Sequence, residues 1–114
     1  MILTRSQVIQ ALRDVVAEQG DDHHADCKYR EHGQPVCIVG HVFYKLGGKK
    51  ALNFLQEGVA IVTQDTARSP LNLEKGSWNI LDAAQRVQDY GFSWGEALEH
   101  AEEKNAHEEI LAAL

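Results

Sequence analysis

Val8, Leu12, Val15 and Val16 fall at i, i+4, i+7 and i+8, the apolar stripe of a helix that buries one face. Thr4-Arg-Ser-Gln7 precedes the stripe and fits a capping box, in which the Thr4 hydroxyl accepts from the Gln7 N–H while the Gln7 side chain accepts from the Thr4 N–H. Leu3 and Val8 stand where a hydrophobic staple would fix the entry of the chain. The pattern predicts a helix from about Arg5 to a left-handed stop at Gly20. The polar run Asp21 to Asp26 is then loop.

The pattern changes beyond it. Cys27 to Tyr29 and Val36 to Ile38 flank a short turn, Glu31-His32-Gly33-Gln34, and predict a β-hairpin with Cys27 opposite or nearly opposite Cys37. Val39, Val42, Phe43 and Leu46 return to helical spacing, which predicts a short helix ended by Gly47-Gly48, with another turn or two from Lys50 to Gln56. Val59 to Thr63 is short and β-branched and reads as a strand. Thr66 to Asn72, containing Ser69-Pro70, reads as loop.

The last third is patterned most clearly. Trp78, Leu81, Ala84, Val87 and Tyr90 mark one helical face, with Ser77 as N-cap and Gly91 as stop. Ser93-Trp-Gly-Glu96 forms a second capping box two residues later, and so short a link forces the two helices antiparallel. Trp94, Ala97, Leu98 and Ala101 continue the stripe. It fails at Glu102, Glu103 and Lys104, and Asn105-Ala-His-Glu108 is placed to cap a restart carrying Ile110, Leu111 and Leu114. Together these elements predict a mainly helical α+β single domain with one β-hairpin at about 27–38 and an antiparallel helix pair at about 77–90 and 94–104.

Composition agrees with one domain: 114 residues, 44% of them hydrophobic, supply one core. No uninterrupted apolar run reaches the roughly 18 residues of a membrane span, and no basic and apolar leader opens the chain, so a cytoplasmic protein without membrane contact is expected. Charge is uneven. Met1 to Leu73 holds eight basic and eight acidic residues, whereas Glu74 to Leu114 holds three basic and nine acidic, so the net charge of −6 belongs to the C-terminal part. Lys45, Lys49 and Lys50 are the one basic cluster, near a helix end that favours cations. A nucleic-acid partner, which calls for a basic face, is not expected.

Gly33-Gln-Pro-Val-Cys-Ile-Val-Gly-His41 with Leu46-Gly47, then Ala83-Ala-Gln-Arg-Val-Gln-Asp-Tyr-Gly91 and Trp94-Gly-Glu-Ala-Leu98, resemble sequence blocks of a group of small uncharacterised proteins from actinobacteria and their phages. The resemblance implies a bacterial or phage cytosol and an accessory role, and it brings no catalytic residues.

Candidate chemistry is concentrated between Cys27 and His41. Zinc takes four N or S ligands in a tetrahedron, and His24, Cys27, Cys37 and His41 are the set on offer, with His23 or His32 as substitutes. The usual signature is two close ligand pairs, and here nine residues separate the cysteines. The preferred reading makes both cysteines small core residues on the inner face of the hairpin, without zinc or another cofactor; a reversible cross-strand disulfide is the third reading. Asp21-Asp22-His23-His24 reads as a solvated loop, and Trp78 and Trp94 read as core. Glu99-His100 and His107-Glu108-Glu109 lack the second histidine of a zinc-protease helix, and no nucleophile elbow, phosphate loop or dinucleotide fingerprint is present.

The function expected is therefore binding, not catalysis. The leading reading is a protein-interaction module that meets a protein partner or a second copy of itself through the acidic C-terminal helices, with Ile110, Leu111, Leu114, Glu102 and Glu103 at the contact. An acidic nucleic-acid mimic is a variant of it. The alternative is a zinc-binding or thiol-redox regulator built on Cys27 and Cys37.

Overall fold

The computed structural model describes residues 2–114. Four α-helices and a two-stranded antiparallel hairpin make a mainly helical α+β fold: α1 is Arg5–Gln19, β1 Arg30–Glu31, β2 Gln34–Pro35, α2 Ile38–Phe54, α3 Ser77–Asp89 and α4 Trp94–Ala113. The radius of gyration, 12.9 Å, is close to the roughly 13 Å expected of a compact chain of this length. Between α2 and α3 lie two short 3-10 turns, Ile61–Thr63 and Thr66–Arg68.

α1 starts as its capping box prescribes, with both reciprocal bonds between Thr4 and Gln7 present. Its stripe Val8, Leu12, Val15 and Val16 is buried with Ile9 and Ala11. The core they join contains Ile38, Val39, Val42 and Phe43 of α2, Ile80, Leu81 and Ala84 of α3, and Trp94, Ala97 and Ala101 of α4. α2 contains the expected break, since Gly48 is non-helical (φ 69°, ψ −157°) although helix resumes as far as Phe54.

α3 and α4 form the antiparallel hairpin. After Asp89, Gly91 takes φ 92°; its N–H donates to the Gln88 carbonyl and the Phe92 N–H to the Val87 carbonyl, the paired bonds of a Schellman ending. Positive φ is what that ending requires of its C′ residue, so the helix stops where the glycine stands.

Five expectations are corrected. Residues 59–63 do not form a strand: the sole sheet among the described residues is the hairpin, and the segment turns instead because the Gln64 amide donates to the carbonyls of Gln56 and Val59 while its oxygen accepts from the Gln56 N–H. The loop expected at 66–72 contains the second 3-10 turn. Ser77 is not the cap of α3; Gly76 is, and Ser77 is the first, fully buried helical residue. Tyr90 lies off the apolar face and is exposed. Finally, α4 does not break at Asn105. It runs unbroken to Ala113, because Glu108, one of its buried residues, is held by α3: its Oε1 accepts from the Asn79 side chain at 3.0 Å, beside the α3 cap residue Gly76. A carboxylate at a helix N-terminus is favourably placed against the macrodipole.

Candidate functional site

The two largest blocks that stood out in the sequence, 33–41 and 83–91, meet. Cys37 caps α2, and its Sγ accepts from the Gly40 N–H at 3.3 Å. The preceding two donors are met from α3: the Ile38 N–H donates to Gln88 Oε1 at 2.9 Å and the Val39 N–H to Gln85 Oε1 at 3.4 Å. Both glutamine amides then donate to one oxygen, Asp89 Oδ1, at 2.9 Å from Gln85 and 2.8 Å from Gln88. Gln88 is 1% exposed, so removal of either partner would leave a buried polar group unpaired. None of these three α3 residues was expected. The signal lay in the stripe itself, since Gln88 follows Leu81 by seven residues and Ala84 by four, positions that an apolar face reserves for apolar side chains.

The thiols do not face one another. The hairpin pairs Arg30 with Pro35 and Glu31 with Gln34, and the Cys37 N–H continues that register by donating to the Lys28 carbonyl. Lys28, not Cys27, is thus across from Cys37, and both cysteines lie outside the paired strands, Cys27 at a bend and Cys37 at the start of α2. Cys37 is buried and Cys27 exposed, which corrects the expectation that both belong to the inner face. Burial pushes the Cys37 thiol up to about 12. The Cys27 thiol is raised first by the nearby Asp89 side chain, which favours the protonated thiol, and then by burial and by the charges of Asp89 and Asp26; its Sγ also donates to the Asp89 main-chain carbonyl at 3.7 Å. Both are held as thiols, and the thiolate is the form that attacks or ligates.

The other candidate ligands are dispersed. His24 and His32 are exposed, and His41 is half-buried on α2. Among the described residues no group of three or more His, Cys, Asp or Glu stands where it could hold a metal ion. His41 has a different neighbour, the fully buried Trp94. Its ring meets the indole edge to face at 5.3 Å between centroids, and His23 meets the same indole at 4.4 Å. The loop bearing His23 also starts α4. Its carbonyl accepts from the Trp94 N–H and that of Asp21 from the Gly95 N–H, both at 2.9 Å, while Ser93 Oγ accepts from the Glu96 N–H at 3.3 Å. The return bond from Glu96 that a full capping box would include is absent among the described residues. Burial holds His41 below its ordinary value, the neighbouring His23 adds to that, and Glu18 opposes it. Trp78 packs on Phe43 with centroids 5.7 Å apart, so both tryptophans serve the core as expected.

A cavity of about 280 Å³ opens beside the glutamine network. Tyr29 and the segment Gly58 to Ile61 form one side, and Asp82, Gln85, Arg86 and Asp89 of α3 the other, with Cys27 at the edge. The Tyr29 hydroxyl donates to the Val59 carbonyl at 2.6 Å and so holds the two halves of the first wall together.

At the far end of the helix pair, the last turn of α4 carries Ile110 and Leu111 and its cap is Leu114, exposed to 62%, 49% and 96%. The helix is anchored just before them, by Glu108 against α3 and by Glu109, whose carboxylate pairs with Arg5 at 3.5 Å. Glu102 and Glu103 are exposed, and Glu102 pairs with Arg13 at 3.4 Å. No helix among the described residues is long and apolar enough to cross a membrane.

No protein-family model matches the chain, and no match is found among curated proteins or solved structures.

Proposed function

We propose that this protein is a small accessory interaction module of a bacterial or phage cytosol, which works by binding and not by catalysis. It docks the last turn of α4 into an apolar groove of a protein partner, and that groove is rimmed by basic side chains. The observation that carries this reading is the exposure of Ile110, Leu111 and Leu114 on a helix end whose direction is fixed by Glu108 and Arg5. Full burial of such side chains contributes roughly 1.5–3 kcal/mol each. Glu109 stands beside Ile110, and Glu102 and Glu103 are exposed about two turns earlier on the same helix, so a basic rim complements this stretch while a second acidic copy repels it. The exposure of Cys27 and the burial of Cys37 as the cap of α2 weigh against the zinc or thiol-redox alternative.

The double substitution Ile110→Asp with Leu114→Asp tests the reading. Melting should be unchanged, because exposed side chains contribute within about 0.5 kcal/mol of nothing. Partner capture from an actinobacterial lysate, scored by mass spectrometry, should disappear in the variant, and for the wild type it should weaken between about 0.1 M and 1 M salt as the Debye length shortens. A clear fall in melting temperature, or capture that survives the substitutions, would defeat the proposal. Concentration-dependent sedimentation abolished by the same substitutions would assign the contact to a second copy instead.

A further inference from the structure

We propose that the cavity between residues 58–61 and α3 is a binding site for an organic cation, an alkylguanidinium or alkylammonium head on an apolar stem. This site is separate from the α4 end and goes beyond the docking reading. At about 280 Å³ the cavity lies just under the range of small-molecule sites, roughly 300–1,000 Å³, and suits a small head group or one side chain. Tyr29, Val59 and Ile61 give it an apolar wall. Its charged lining is Asp82, Arg86 and Asp89, and Arg86 is already engaged, with Nε donating to Asp82 Oδ2 at 2.8 Å. Asp89 has no cationic partner among the described residues.

The Asp89 carboxylate is also set in place before any ligand arrives. Gln85 and Gln88 both donate to its Oδ1, and their own oxygens are tied to the start of α2. Oδ2 accepts no N–H among the described residues. A carboxylate ordered in advance binds without the entropy loss of ordering it, and its bond to a cation is charge-assisted. Burial is the main reason that the Tyr29 phenol is raised, to about 12, and the Asp89 side chain the main reason for the raised Cys27 thiol, with the charge of Asp89 adding to both.

Amide chemical-shift titration with butylguanidinium, against its neutral isostere butylurea, is the test. Saturable shifts are expected at Cys27, Ala60 and Gln85, with butylurea at least about tenfold weaker, the factor that one charge-assisted hydrogen bond supports. Asp89→Asn keeps an oxygen for the glutamines, removes the charge and should weaken binding by a similar factor. Ala60→Trp fills the mouth from an exposed position whose bonds are made by the backbone; it should abolish the shifts with melting unchanged, and it decides the matter if Asp89→Asn fails to fold. The Ile110→Asp, Leu114→Asp variant should titrate normally, which separates this inference from the docking proposal. Tighter binding of acetyl-Ala-Arg-Ala-amide than of the free cation would identify a partner's arginine as the source, and the reverse a small metabolite; both uphold the cation site. Equal binding of butylurea, shifts that never saturate, or shifts that persist in Ala60→Trp would overturn it.

Discussion

The starts of α2 and α4 solve one problem in two ways. Each has three leading N–H groups without a partner in its own helix. At α2 they are met by side chains, Gln88, Gln85 and Cys37; at α4 they are met by the carbonyls of His23 and Asp21 and by one hydroxyl, Ser93. A carbonyl stays when a side chain is substituted, whereas a glutamine can be deleted. The first start therefore depends on the identity of distant residues, and the second depends on the path of a loop that the Trp94 ring holds against His23.

Breaking that support should produce the largest effect. Trp94→Ala removes a fully buried ring on which two imidazoles rest, and a loss of about 3–5 kcal/mol in chemical denaturation is expected. Hydrogen exchange should show the amides of Trp94 and Gly95 opening with the loop. Gln88→Ala comes next, at about 1–3 kcal/mol, since it strands the buried Ile38 N–H; Gln85→Ala should cost less, because its bond to Val39 is longer at 3.4 Å. Ser93→Ala should cost about 1 kcal/mol, because the two carbonyls remain. If Ser93→Ala proved costlier than Gln88→Ala in urea melts, the contrast between the two starts would be wrong.

Acid provides the finest distinction. His41 is held below its ordinary 6.5 by burial first and by His23 second. The unfolded chain thus takes up its proton first, so stability is complete above about pH 6.5 and falls as pH drops from there through the lower folded-state value. Cys37 at the α2 start, pushed up to about 12, does not titrate in this range. Melting temperature should decline between about pH 7 and pH 5, and His41→Gln should flatten the decline. An identical decline in the variant would remove His41 from the explanation.

What the sequence disclosed follows the same division. The Thr4 box, the Ser93 hydroxyl and the Gly91 stop were legible because each acts within three residues of itself, and backbone geometry fixes such short reaches. Gln85 and Gln88 act across 46 and 50 residues, and only their polarity beside an apolar face betrayed them, while Asp89 supports both from within four residues without any such signal. The hairpin was legible as a turn, but the facing of Cys27 and Cys37 depends on register to one residue, which the flanking pattern left open. The strand expected at 59–63 had the right composition and no neighbour to pair with. The continuity of α4 rests on Glu108 meeting α3, a contact between elements that no local signal announces.

Gly40 bears on how this chain can diverge. A Cβ there would collide with the Tyr29 carbonyl oxygen, and because the backbone fixes the place of both atoms no rotamer relieves the overlap. Gly33 and Gly58 face open space with positive φ, a conformation that asparagine also tolerates. Among descendants of this sequence, position 33 can drift toward asparagine, position 58 can do so only by placing a side chain at the cavity that it lines, and any side chain at position 40 must first displace Tyr29. Even alanine at position 40 would push Tyr29 away from Val59 and reshape the cavity from behind, so drift in ligand preference can begin at a residue that never touches the ligand.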